Sequence, residues 1–134
     1  KIFPIITERT EVKHLNYERA RKIFSEATDQ YNQLNPPEIS EVKKLKDFLK
    51  NLESSNKLLF ADVNSQNILK NDNVKKGEAL SVLIGPEGDF SPAERELILK
   101  VPDVKSFTIS KNILRSDTAV ITAISLVNFV YFNS

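Results

Sequence analysis

Residues 80–99 constrain the fold more than any other stretch, because three local signals follow one another there in quick succession. Leu80-Ser81-Val82-Leu83-Ile84 is a short apolar run, the pattern of a strand buried on both faces in a parallel sheet. Gly85-Pro86-Glu87-Gly88 interrupts it, and Ser91-Pro92-Ala93-Glu94 then opens a helix. The serine can cap, proline suits a first-turn position whose N–H lacks a partner, and Glu94 can close a capping box onto Ser91. The helix is expected to reach Val101.

Lys57-Leu58-Leu59-Phe60-Ala61-Asp62 is a second apolar run of this kind, and residues 104–109 form a third strand candidate. Near the start, Ile2-Phe3-Pro4-Ile5-Ile6 reads as a further core strand. Residues 15–31 carry Ala20, Ile23, Phe24 and Ala27 at amphipathic-helix spacing. Asn35-Pro36-Pro37 stops that helix, since proline restricts its predecessor and donates no amide. Helical spacing resumes over residues 39–52 through Val42, Leu45, Phe48, Leu49 and Leu52, with a basic outer face. Residues 118–132 are apolar nearly all round and must be covered on more than one side, as in a core helix at a dimer interface. The order strand, helix, helix, strand, strand, helix, strand, helix predicts an α/β layered domain with ligands beyond the carboxyl ends of its strands.

Composition narrows the chemistry. A chain of 134 residues with 40% hydrophobic content can bury one ordinary core. Nineteen basic against 18 acidic residues give no global field to attract nucleic acid, so RNA binding must come from local patches or another domain. With no cysteine and one histidine, His14, disulfides, thiolate zinc sites, cysteine nucleophiles and Ser-His-Asp triads are excluded. No metal is expected. No apolar stretch approaches the ~18 residues of a membrane span, and no signal-peptide pattern opens the chain, so a cytoplasmic location is expected. Methionine is absent and Lys1 leads straight into a core strand, as expected of a fragment of a longer protein.

Two segments can carry chemistry. The loop 84–91 leaves a buried strand through two glycines and enters a helix, where missing Cβ atoms let a ligand approach backbone amides; the competing reading is a tight turn that only reverses direction. Glu87 could orient a ligand or accept a proton, or simply favour the helix dipole. Ser110-Lys111-Asn112-Ile113-Leu114-Arg115-Ser116-Asp117-Thr118-Ala119 places two cations at a strand's carboxyl end. There the planar fork of Arg115 could clamp phosphate or a nucleobase, or pair with Asp117 or Glu87. Arg9 could touch RNA phosphate. Lys43, Lys44, Lys46 and Lys50 read better as a solvated helix face.

Together, Ile84-Gly85-Pro86-Glu87-Gly88-Asp89-Phe90-Ser91 and Ile113-Leu114-Arg115-Ser116-Asp117-Thr118-Ala119 closely resemble the paired signatures of the RsmE-like 16S rRNA uridine-N3 methyltransferases of the SPOUT class. Pro4-Ile5-Ile6-Thr7-Glu8-Arg9-Thr10 is similar to the family's P-x-x-T-E-R-S. Glu26-Ala27-Thr28-Asp29-Gln30 and Pro37-Glu38-Ile39 are similar to its E-A-x-E-Q and P-x-I. The likeness covers essentially residues 1–134.

The resemblance implies a parallel sheet sandwiched by helices, a deep trefoil knot at the carboxyl end, a homodimer and S-adenosylmethionine as cofactor. It implies methylation of 16S rRNA, either free or in the small ribosomal subunit. The cofactor pocket it implies uses Leu59, Phe60, Ala61, Leu83, Ile84, Gly85, Pro86, Glu87, Gly88, Ile109, Ser110, Asn112, Ile113 and Leu114. Arg115, Glu87 and Arg9 are the implied catalytic candidates. Gln33, Ser110, Asn112 and Asp89 depart from residues common in the family, and its amino-terminal PUA-like barrel is not visible. Two other readings remain: a knotted RNA-binding or assembly module without catalysis, and a relative acting on another RNA.

Overall fold

The computed structural model describes residues 1–10, 38–86, 88–112 and 116–133, without the side chains of residues 116 and 117. The helix expected over residues 15–31 lies outside them, as do His14, Glu26, Gln30 and Gln33.

Three parallel strands form the central sheet in the order β4-β3-β5: β3 is Asn56–Ala61, β4 is Ala79–Ile84 and β5 is Lys105–Phe107. Ala61 stands in register with Ile84 on one side and Phe107 on the other, so the three strands finish level. The apolar runs that predicted these strands are continuous because β3 is covered on both faces. Leu58 and Phe60 point into one cluster with Leu45, Leu83, Phe90 and Ile98. Leu59 and Ala61 point into the other with Leu69, Val74, Phe107, Ala123, Val127 and Val130. That is the alternation a pleated strand imposes.

Helices supply both covers. On the first face lie α1 (Leu45–Lys50) and α2 (Pro92–Leu99). On the second lies α3 (Ser116–Phe132), which turns Ala119, Ala123, Val127 and Val130 inward at helical spacing. Its outer side leaves Val120, Ile121, Ile124, Phe129 and Phe132 exposed.

The region 39–52 departs from the helix expected there. Ile39 bridges Ile2, and Lys43–Lys44 form β2, which pairs in parallel with β1 (Ile5–Ile6). The helix begins only at Leu45. The cause is backbone satisfaction: Ile2 donates to the Glu38 carbonyl at 2.7 Å, Ser40 to Ile2 at 2.9 Å and Lys43 to Pro4 at 3.1 Å. Pairing by the first strand overrides a helical periodicity that Leu45, Phe48, Leu49 and Leu52 still satisfy. Lys43 and Lys44 are therefore exposed strand residues, while Lys46 and Lys50 face solvent from α1.

Candidate functional site

The level carboxyl ends of β3, β4 and β5 release three loops side by side, residues 62–67, 85–91 and 108–112. This is the position at which open α/β sheets bind ligands.

Loop 85–91 is held at several of its described residues. Asp89 donates its amide to the Pro86 carbonyl at 2.8 Å, closing a tight turn, and adopts a left-handed φ of 60°. Ser91 caps α2, accepting from the Glu94 amide at 3.2 Å, while Glu94 accepts the Ser91 amide at 3.0 Å. This is the reciprocal box the sequence predicts. Phe90 is buried edge-on against Phe60, with ring centroids 5.6 Å apart.

The two glycines serve the loop itself. A Cβ on Gly85 would lie 3.1 and 3.2 Å from Phe90 ring carbons and 3.3 Å from Asp89 Oδ1. A Cβ on Gly88 would lie 3.4 Å from Arg9 Cβ. At Gly85 an added Cβ is thus crowded, and at Gly88 it would meet Arg9 at ordinary contact distance.

Arg9 reaches this loop from 79 positions away, donating from Nη1 to the Gly88 carbonyl at 3.1 Å. Beside it the Glu8 amide donates to Glu94 Oε2 at 3.2 Å. The turn that presents them is held by the Thr7 amide donating to Thr10 Oγ1 at 3.0 Å. The segment carrying the P-x-x-T-E-R likeness thus braces both the loop and the first turn of α2.

Loop 108–112 is held by Thr108 Oγ1 donating to the Ser110 carbonyl at 3.0 Å and by the Asn112 amide donating to Ser110 Oγ at 3.1 Å. It is tied to the first loop by the Thr108 amide, which donates to the Asn67 carbonyl at 2.8 Å.

Sequence reasoning missed Asp62, the first residue past β3. Its side chain is fully buried. Its amide donates to the Phe107 carbonyl at 2.9 Å, and its Oδ1 accepts from the Asn64 amide at 2.9 Å and from the guanidinium of Arg95. Oδ2 has no partner among the described residues. Arg95, 5.9 Å from the centroid of the Phe60 ring, has its pKa raised above the ordinary value by the hydrogen bond to Asp62. Partial burial opposes that shift, and the charges of Asp62 and Asp89 add to it. The only signal in the sequence was a carboxylate ending an apolar run.

Of the predicted cofactor residues, Leu59, Phe60 and Leu83 are core side chains that support the loops from beneath. Ala61 is buried at the strand end, and Ile84 and Ile109 lie partly exposed beside it, packed on the same cluster. Gly85, Pro86, Gly88, Ser110 and Asn112 occupy the loops. Glu87, Ile113, Leu114 and Arg115 lie outside the described residues. A separate cleft of about 640 Å³ runs along β5 between Val104-Lys105-Ser106 and the segment 66–73, and contains no predicted site residue. Among the described residues no three His, Cys, Asp or Glu side chains could hold a metal ion, and no helix is long and apolar enough to cross a membrane.

The RNA methyltransferase domain model matches residues 1–128. The chain belongs to that family. Within it, the RsmE-like likeness holds: ribosomal RNA small subunit methyltransferase E of Rickettsia conorii is 35% identical over 133 residues, covering 97% of this chain and 54% of that protein. The Aquifex aeolicus protein of the same name is 31% identical over 131 residues, covering 94% and 56%. The crystal structure of a ribosomal RNA small subunit methyltransferase E from Neisseria gonorrhoeae bound to S-adenosyl methionine matches with a TM-score of 0.81 at 25% identity, covering 97% of this chain and 54% of that one. The chain spans about half the length of the curated relatives it matches. Both motifs that carried the resemblance begin inside the matched family span.

Proposed function

We propose that this chain is the methyltransferase domain of a cytoplasmic, S-adenosylmethionine-dependent enzyme that methylates N3 of a uridine in small-subunit rRNA. The observation that carries the reading is the family match along residues 1–128, with the two signature motifs in sequence and the three loops side by side in space. The chain's own surfaces fit the cofactor: partly exposed Ile84 and Ile109 flank Ala61 at the strand ends, an apolar platform for a flat adenine. In this account Ser110 and Asn112 offer polar groups beside that platform.

When bound, the cofactor supplies an electrophilic methyl group on its sulfonium. The protein's task is to place the uridine N3 in line with that methyl and to remove the imide proton, so that N3 would form the N–C bond as the methyl's bond to sulfur breaks and the neutral thioether leaves. Arg115 is assigned to the developing charge on the uracil or to its phosphate, and Glu87 to shaping the pocket or assisting proton removal. Arg9, held on the Gly88 carbonyl, acts as a positioning residue for loop 85–91.

The reading includes the SPOUT-type knot around residues 108–132 and a homodimer. The dimer would cover Val120, Ile121, Ile124, Phe129 and Phe132, whose exposure on one helix supports this reading. Titration with S-adenosylmethionine alongside a sizing run tests it. Micromolar binding by a dimer is expected; absence of binding by a folded dimer would favour the non-catalytic module.

A further inference from the structure

Asp62 lies on the central strand's exit, between the loops that follow β4 and β5. A carboxylate offers about four acceptor positions. Oδ1 takes two donors, the Asn64 amide and the Arg95 guanidinium, whereas Oδ2 takes none among the described residues although the side chain is fully enclosed. Buried polar atoms nearly always have a partner, and an exception at the ligand-binding edge of a sheet points to a missing one.

We propose that Asp62 is a ligand-binding residue whose Oδ2 accepts a hydrogen bond from the adenosyl cofactor, from a ribose hydroxyl or from the α-ammonium group. This rests on the cofactor reading above. Arg95 fixes the carboxylate by holding Oδ1, and lies over Phe60, which also packs edge-on against Phe90 of loop 85–91. The pair therefore couples the orientation of Asp62 to the loop implied to line the pocket. Bulk water has no access to Oδ2, so among the described residues and solvent its partner is either a group carried in beneath the loops or a single trapped water.

The test is calorimetric titration of the 134-residue chain and of its Asp62→Asn variant with S-adenosylhomocysteine, its 2′-deoxy and 3′-deoxy analogues, and 5′-methylthioadenosine, which lacks the amino-acid moiety. Loss of a charge-assisted hydrogen bond predicts S-adenosylhomocysteine binding weaker by about tenfold to a hundredfold in the variant. If a hydroxyl is the donor, the variant and the parent converge on one deoxy analogue; if the ammonium is, they converge on 5′-methylthioadenosine. Equal affinity of the two proteins for S-adenosylhomocysteine, with the variant folded by thermal denaturation, assigns Oδ2 to a trapped water and overturns the proposal. Failure of the parent chain to bind any of these ligands overturns the cofactor reading, and this inference with it. Should the variant not fold, the parent co-crystallised with S-adenosylhomocysteine decides. A ligand donor within about 2.5–3.2 Å of Oδ2 supports the assignment, and a water or nothing there refutes it.

Discussion

Gly85→Ala separates two explanations of the glycine loop. If Gly85 is there to let a ligand approach, one methyl group should weaken cofactor binding and leave the folded state nearly untouched. The structure predicts otherwise. The new Cβ would sit 3.1 and 3.2 Å from the Phe90 ring and 3.3 Å from Asp89 Oδ1, closer by a few tenths of an ångström than ordinary contact allows. Phe90 is only 5% exposed and is backed by Phe60. Asp89 is pinned by its hydrogen bond to Pro86 in a left-handed conformation. The Asp89 carboxylate can rotate aside but the buried Phe90 ring cannot do so without moving the loop, so overpacking of about 1–3 kcal/mol is expected. For a domain of this size that lowers the melting temperature by about 4–12 °C. Phe90→Leu in the same background should recover part of the loss, although alone it destabilises. Calorimetric unfolding of the three variants without ligand is the assay. An unchanged melting temperature for Gly85→Ala, with cofactor affinity lost, would refute the packing explanation.

Ser91→Ala removes the Oγ that accepts the Glu94 amide but leaves the Glu94 carboxylate on the amide of residue 91, and should cost about 1 kcal/mol in urea unfolding; a loss below a few tenths would mean that Glu94 holds the helix start alone. Ile98→Ala, at a fully buried position on the same helix, should cost about 2–5 kcal/mol in the same experiment. Phe129→Asp alters a residue 68% exposed in the single chain, so secondary structure measured by circular dichroism should persist while sizing shifts from dimer to monomer. Arg115→Ala should reduce methyl transfer by about tenfold or more while leaving cofactor affinity nearly intact; equal loss of both would remove Arg115 from the charge-stabilising role.

The central strand β3 was legible because burial on both faces leaves an apolar run that needs no tertiary information. β3 and β4 are displaced by one residue or less from the runs 57–62 and 80–84. The start of α2 was legible because capping is local chemistry among Ser91, Pro92 and Glu94. The stretch 39–52 was misread because its outcome depends on Ile2, Pro4 and Ile5, whose unpaired backbone groups recruit it. No window around residue 42 contains that demand.

The site divides in the same way. The glycine loop and its following helix announce themselves, but which atoms fill the missing Cβ positions is set by Phe90 folding back and by Arg9 arriving from the first strand. The Asp62–Arg95 pair spans 33 positions and joins two elements that are neighbours only in space. In the sequence Asp62 stands merely as the polar end of a strand, and nothing there singles out Arg95.

The most direct test of the central claim is to incubate the chain with methyl-labelled S-adenosylmethionine and small-subunit rRNA, then digest the RNA and identify the labelled nucleoside. The account predicts label in 3-methyluridine from a single position, reduced by about tenfold or more with Arg115→Ala. Label in a ribose or in another base, or no transfer by a chain that binds the cofactor, would contradict it.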